Sequence, residues 1–254
     1  LMTLPLLDGD SVLRSTTPLE SGSYVDMTLD CLRQHGIVID KEWDGSYRIP
    51  GNQHYRPGTY VVEGDYSQAA FWLSAGSLGR AICCTGLRSK SSQGDEVIVA
   101  LIRDMGGQVE GKTELTACPS ELVGRVIDVE DCPDLVPVLT VLASCAKGIT
   151  RIIHAGRVRL KECDRLHAMA TELNKIGGDV EEEDEGLIIH GVGGFTGGTV
   201  NGWNDHRIAM ALAVASQRCS QPLRIEGAEC VRKSYPEFWQ DFQALGGIIQ
   251  KEGE

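Results

Sequence analysis

Arg157-Val-Arg-Leu-Lys-Glu-Cys-Asp-Arg165 packs four cations and two acids into nine residues of a chain whose net charge is −12. Leu166, Met169, Leu173 and Ile176 follow at intervals of three or four, the pattern of one buried helical face. The spacing therefore expects Lys161, Glu162 and Arg165 in the first turn of an amphipathic helix. Cations there oppose the helix dipole by roughly 0.3–1 kcal/mol each, so a helix start that carries two of them has an anion to hold. Asn204-Asp-His-Arg207 and Arg232-Lys-Ser-Tyr-Pro236 are two further places where cations meet an expected helix start, and Pro133-Asp134 supplies a carboxylate at a third. Guanidinium groups suit the fork of a carboxylate, and an ammonium suits a point contact to phosphate. Asp134 and Glu162 are the carboxylates placed to move protons beside such a ligand.

These residues need elements to position them, and the elements repeat. Gly36, Gly106, Gly177 and Gly246 each close an amphipathic segment, at intervals of 70, 71 and 69 residues. Asp65, Asp134 and Asp205 each open an Ala-rich apolar segment with the same period. A fixed period of this kind marks a repeat architecture. In one unit a short strand (60–63, 125–129, 199–201) runs to the aspartate, and a helix apolar on nearly all sides follows (135–146, 208–216). A second strand (81–87, 151–154, 223–226) leads to a half-buried helix (95–105, 163–176, 236–245) capped by the glycine. A hairpin closes the unit, as at 179–183 and 187–190. The expected fold class is α/β, with β-α-β-α-β-β units about a pseudo-threefold axis.

Residues 1–59 fit the same unit with its front absent: strand 12–16, helix 25–35, hairpin 37–40 with 47–49, and Leu1–Leu7 as the end of an apolar helix. The expectation is that the chain opens inside a fourth unit, with 1–59 as part of one domain and 60–254 as a nearly complete three-repeat domain. Arg56-Pro-Gly58 is the natural linker.

A 254-residue chain that is 42% hydrophobic can bury a sizeable core. Its acidic balance argues against non-specific nucleic-acid binding, which needs a broad basic surface. Nine cysteines without a C-x-x-C pair, several inside apolar runs, indicate free thiols in a reducing, cytoplasmic setting and no structural zinc. No apolar run approaches the ~18 residues of a membrane span. The acidic run Glu181–Glu185 reads as a solvated hairpin tip. The glycine run Gly191–Gly198 lacks phosphate-loop spacing and reads as a connection between units.

Each candidate has a second meaning in the repeat. Asp134 is either a proton acceptor or only a helix cap, like Asp65 and Asp205. Glu162 is either a proton carrier or a first-turn partner of the helix dipole. His206 is either a catalytic group or a satisfied core histidine, and Arg165 and Arg207 are either ligand clamps or structural ion pairs.

Arg159-Leu-Lys-Glu-Cys-Asp-Arg165, Asn204-Asp-His-Arg207, Lys233-Ser-Tyr-Pro236 and Pro133-Asp134 together resemble the 3-phosphoshikimate 1-carboxyvinyltransferases, also called 5-enolpyruvylshikimate-3-phosphate synthases. Val62-Glu-Gly-Asp65, Gln93-Gly-Asp95 and Ser21-Gly-Ser-Tyr-Val-Asp26 add to the match, which runs along the whole chain. The resemblance implies an inverse α/β barrel of two three-unit domains, no cofactor, and transfer of enolpyruvyl from phosphoenolpyruvate to the 5-hydroxyl of shikimate 3-phosphate. It implies catalytic roles for Asp134, Glu162 and His206. It also implies a phosphoenolpyruvate clamp of Arg165, Arg207 and Lys233, where glyphosate competes, and shikimate 3-phosphate contacts at Ser21, Tyr24, Asp134 and Lys161, with Arg157 as a further substrate-side cation. Gly22 stands where the family often has a cation after the serine, and Cys163 where serine or threonine is usual, and neither departure is expected to disable the site. The family's Ser-Ser-Gln phosphate motif is expected just ahead of Leu1, so this chain by itself is expected to lack turnover. Two alternatives are the related transferase acting on UDP-N-acetylglucosamine, which lacks the paired K-E-x-D-R and N-D-H-R elements, and a non-catalytic repeat scaffold. A third, RNA-end processing on related units, sits badly with the acidic charge.

Overall fold

The computed structural model describes residues 1–250 and divides them into two compact units, Leu1–Glu63 with Lys90–Gly94, and Gly64–Ser89 with the remainder from Asp95 onward. The first unit holds β1 (Ser11–Leu13), α1 (Gly22–Gln34), β2 (Asp40–Lys41) and β3 (Tyr47–Ile49), with both outer strands antiparallel to β3. The expected end of an apolar helix at Leu1–Leu7 is only a 3-10 turn, Leu4–Leu6, whose Pro5 is buried while Leu6 and Leu7 stand exposed.

The second unit carries the repeat. Its first copy has α2 (Tyr66–Leu78), β4 (Ile82–Cys84), α3 (Ile98–Asp104), β5 (Gln108–Glu110) and β6 (Leu115–Cys118). The second has β7 (Val126–Asp128), α4 (Val136–Cys145), β8 (Ile149–Ile153), α5 (Arg165–Lys175), β9 (Asp179–Glu183) and β10 (Gly186–His190). The third has β11 (Gly198–Asn201), α6 (His206–Ser216), β12 (Leu223–Glu226) and α7 (Phe238–Ala244). The complete sheet is β7-β8-β10-β9, with a parallel first pair followed by antiparallel neighbours. Among the described residues the others are partial versions of this sheet: β4-β6-β5 lacks the first strand, and β11-β12 lacks the hairpin.

Two expectations are therefore corrected. Tyr60–Glu63 is not a strand: Val61 and Val62 are 95% and 91% exposed, so neither face of the segment has a core to pack on. A single bond from Gly64 N–H to Gly86 O, at 2.7 Å, stands where Val129 N–H meets Ile153 O and Gly202 N–H meets Glu226 O in the other copies. The third unit shows no closing hairpin, because no strand follows α7 among the described residues. The acidic run meets the expected hairpin tip only in part: Glu181–Glu183 are paired residues of β9, and Asp184 and Glu185 form the β9–β10 turn.

The three apolar helices α2, α4 and α6 pack pairwise against one another and are buried along almost their whole length. A helix that is apolar all round can sit only in such a centre. Their starts converge: Arg165 bridges Asp134 ahead of α4 and Asp205 at the cap of α6, and Ser67 of α2 donates to the buried Asp95. The amphipathic α5 lays Leu166, Met169, Leu173 and Ile176 against this core, all fully buried.

Candidate functional site

The site is assembled from four short stretches of the second unit: the 3-10 turn Pro133–Leu135 ahead of α4, the loop before α5, the first turn of α6, and the 3-10 turn Ala228–Lys233. Asp164 caps α5 by accepting His167 N–H at 3.1 Å, so the helix begins at Arg165. Lys161 and Glu162 therefore lie ahead of the helix rather than in its first turn, because the chain leaves the turn Gly156–Leu160 extended at Lys161. Lys233 likewise ends a 3-10 turn, and α7 starts only at Phe238, later than the Pro236 start expected.

Arg165 is the hub. Only 1% of its side chain is exposed, and its guanidinium is shared among three carboxylates from three different stretches. Nε donates to Asp205 Oδ2 at 2.8 Å, Nη1 to Asp134 Oδ1 at 2.7 Å, and Nη2 to Glu162 Oε2 at 2.7 Å. Planar, fixed donors make such three-way bridging possible for arginine and not for lysine. Around this centre, Lys161 Nζ lies 3.4 Å from Asp134 Oδ1, Arg207 Nη2 3.1 Å from Asp134 Oδ2, and Lys233 Nζ 2.5 Å from Glu162 Oε1. Four cations, Lys161, Arg165, Arg207 and Lys233, thus pair with Asp134, Glu162 and Asp205.

Geometry separates Asp134 from the two caps of its period. Asp65 and Asp205 cap their helices by accepting N–H groups of Ser67, Gln68 and Arg207. Asp134 occupies the same place in the period, yet lies within a 3-10 turn and faces three cations. Burial pushes its carboxyl upward, but Arg207, Arg165 and Lys161 outweigh it and hold the pKa at about 2. Burial also opposes ionisation of Glu162, and the hydrogen bond from Lys233, a backbone N–H and Arg165 bring it to about 2. Both are bases at neutral pH.

Arg207 is nine-tenths buried, and its Nη1 has no hydrogen-bond partner. His206 is buried too; its Nδ1 is unpartnered, 3.9 Å from Asp205 Oδ1. Burial and the adjacent Arg207 lower its pKa from the ordinary histidine value. An orphaned guanidinium nitrogen in such a place costs on the order of 1–3 kcal/mol or more unless a ligand supplies the acceptor.

The structure thus brings together Asp134, Glu162, Lys161, Arg165, His206, Arg207 and Lys233. Arg157 is exposed on the turn Gly156–Leu160. Ser21 and Tyr24 belong to the first unit, where Ser21 is buried with φ +50° at the start of α1 and Tyr24 is half exposed. Asp205 was visible in the sequence only as a cap, although its fully buried carboxylate also anchors Arg165. Asp95 was missed as well: burial raises its pKa while the Ser67 hydroxyl donates to it. Its signal was the Ser-Gln-Gly-Asp start that replaces the cationic start of the other units. Metal-ligand groupings among the described residues are limited to two exposed sets, Asp128, Glu130 and His154, and Asp179, Glu181 and His190, each built around a surface histidine–carboxylate pair.

The profile of the family described as EPSP synthase (3-phosphoshikimate 1-carboxyvinyltransferase) matches residues 1–242. A 3-phosphoshikimate 1-carboxyvinyltransferase of Clostridium kluyveri is 53% identical over 252 residues, covering 99% of this chain and 59% of the relative. One from Clostridium acetobutylicum is 50% identical over 251 residues, covering 99% and 58%. The chain thus spans about three fifths of the length of the curated relatives it matches. Among solved structures, an EPSP synthase of Acinetobacter baumannii superposes with a TM-score of 0.84 at 26% identity, covering 98% of this chain and 60% of that one. The enolpyruvyl transferase NikO of Streptomyces tendae shares the fold, with a TM-score of 0.77 at 22% identity over 97% of this chain and 57% of its own. With the profile spanning nearly every described residue and half the positions identical in its relatives, the chain belongs to the EPSP synthase (3-phosphoshikimate 1-carboxyvinyltransferase) family.

Proposed function

We propose that this chain supplies the phosphoenolpyruvate side of an enolpyruvyl transferase that acts on the 5-hydroxyl of shikimate 3-phosphate, in the cytoplasm. The observation that carries the proposal is the buried, unpartnered Nη1 of Arg207 beside His206 and the cations Lys161, Arg165 and Lys233. That nitrogen takes a carboxylate oxygen of phosphoenolpyruvate. Lys233, more than half exposed and tied only to Glu162 among the contacts above, turns to the phosphate. Arg165 is the exception to the expected clamp. With all its nitrogens engaged by Asp134, Glu162 and Asp205, it serves mainly to hold the two working carboxylates in place.

The chemistry then proceeds by addition and elimination. Asp134 takes the proton of the shikimate hydroxyl as its oxygen bonds to C2 of phosphoenolpyruvate, and C3 receives a proton from Glu162. In the second half C3 returns a proton to Glu162, the C2–O bond to phosphate breaks, and the departing phosphate carries off the proton held by Asp134, so that both carboxylates are restored. Glu162 must be protonated for the first half, which its bonds from Lys233 and Arg165 disfavour. An arriving anion that draws Lys233 away removes the main interaction holding Glu162 ionised, and so raises its proton affinity. General acid–base steps of this kind contribute about 10²–10⁴ in rate, and cations aimed at the departing phosphate supply much of the rest. Lys161, Ser21, Tyr24 and Arg157 are assigned to shikimate 3-phosphate, and glyphosate is expected to compete for the Arg207 and Lys233 region. The three-repeat portion from residue 60 onward carries the residues of this half of the reaction. Set against a scaffold role, the gathering of Lys161, Arg207 and Lys233 around Asp134 and Glu162 favours a ligand site.

Calorimetric titration of the chain with phosphoenolpyruvate tests the proposal. Weak, salt-sensitive binding is expected, with Arg207→Gln lowering affinity at least tenfold. Equal affinity in the variant, or no binding by the wild type, contradicts it. The chain, at three fifths of its relatives' length, is expected to show no turnover with both substrates, and release of phosphate coupled to product would contradict that part.

A further inference from the structure

Glu172 lies on α5, on the same face as Met169, Leu173 and Ile176, and like them it is fully buried. An apolar residue would satisfy that face at less desolvation cost, so the carboxylate is held there by what it bonds. Its Oε1 accepts from Trp203 Nε1 at 2.7 Å and from Lys175 Nζ at 2.8 Å. Its Oε2 accepts from Asn201 N–H at 3.0 Å and from Lys175 Nζ at 2.9 Å. Lys175 neutralises the charge, and both remaining donors come from one turn.

That turn leads into the site. Asn201 ends β11, and Trp203 and Asn204 follow with φ of +53° and +51°, the left-handed region that a tryptophan rarely adopts. Asn201 Oδ1 accepts from Trp203 N–H at 2.6 Å, and Asp205 N–H donates to Gly202 O at 2.9 Å. The next three residues are Asp205, which anchors Arg165, and then His206 and Arg207. Two successive non-glycine residues in this conformation persist only where the surroundings over-determine them.

We propose that Glu172 is a positioning residue for the anion site: by accepting the Trp203 indole and the Asn201 amide, it holds the Trp203–Asn204 turn and so sets where Arg207 and His206 point. The proposal rests on Arg207 being the anion's contact. Glu172 touches none of the reacting groups itself. Replacing it by glutamine keeps the shape but puts an NH2 group where only acceptors fit, leaving one turn donor unmatched.

The test compares the 254-residue chain with Glu172→Gln, Trp203→Phe and Asn174→Ala, by phosphoenolpyruvate titration and by hydrogen exchange. Asn174 lies on the same helix but bonds the backbone of Val180, so Asn174→Ala weakens α5 without touching the turn. The expected result is about a tenfold loss of affinity in Glu172→Gln and a several-fold loss in Trp203→Phe. Asn174→Ala should stay within twofold while still lowering the urea midpoint. Amides of Trp203–Arg207 should lose protection in Glu172→Gln while those of α4 keep theirs. Wild-type affinity together with wild-type protection in Glu172→Gln overturns the proposal, as does an equal loss of affinity in Asn174→Ala. Should the wild type fail to bind phosphoenolpyruvate, the proposed function falls and the exchange data decide alone. Loss confined to Trp203–Arg207 then supports the role of Glu172, and unchanged protection there overturns it.

Discussion

Arg165 gives its whole guanidinium to carboxylates of the protein itself, and this reverses the first inference that its sequence position invites. Cations at a helix start do hold anions here, but for Arg165 the anions are Asp134, Glu162 and Asp205, drawn from 31 and 40 residues away as well as from next door. The charge types were legible as places where one repeat departs from another. Their pairing was not, because it depends on how three helix starts converge. Asp134 makes the energetics testable. Its pKa falls from the ordinary 3.8 to about 2, so its contribution to stability is complete above about pH 4 and is lost as pH drops through 2. The shift corresponds to about 2 kcal/mol. Urea unfolding of the wild type and Asp134→Asn should differ by roughly that amount at pH 6, and the gap should narrow as pH falls from 4 towards 2. A gap that stays constant across that range would show that the cations do not hold the carboxylate down.

At the scale of elements, the central helices were readable because segments apolar on every side have nowhere to go but the middle of a stack. Helix boundaries were less readable. The residues ahead of α5 carry a helical spacing, yet the Asp164 cap and the preceding 3-10 turn exclude Lys161 and Glu162 from the helix. This matters chemically, since a loop lets both side chains reach inward where a first helical turn would splay them. The strand expected at Tyr60–Glu63 failed for a different reason, the lack of a buried face for Val61 and Val62. Close packing between helix and sheet gives a direct check. A Cβ on Gly76 of α2 would sit 2.8 Å from the backbone O of Ala117 in β6 and 2.9 Å from its Cβ. Alanine is favoured over glycine by about 1 kcal/mol in an isolated helix. Overpacking against a fixed strand should nonetheless win, so Gly76→Ala should destabilise the chain by about 1–3 kcal/mol in denaturant unfolding. A stabilised variant would mean that α2 and β6 have more room than the structure gives them.

For the whole molecule, the seventy-residue period was the most legible feature, because two independent markers keep it and each copy uses the same core. What the period could not show is unevenness: among the described residues one sheet is complete, one lacks its first strand and one lacks its hairpin. The contiguous apolar core runs from Tyr66 to Phe238 and belongs to the second unit, whereas the first buries Leu32, Ile37, Tyr47 and Ile49 among its apolar side chains. Family membership follows from the sequence match along this frame, and the proposed chemistry from the cluster at its helix starts. The central claim is that the buried Nη1 of Arg207 is kept for a ligand's anionic oxygen. A crystal structure of the chain with phosphoenolpyruvate tests it most directly. The account predicts a carboxylate oxygen within hydrogen-bond distance of Arg207 Nη1 and Lys233 Nζ shifted from Glu162 towards the phosphate. Phosphoenolpyruvate bound elsewhere, with Arg207 Nη1 still unpartnered, would contradict it.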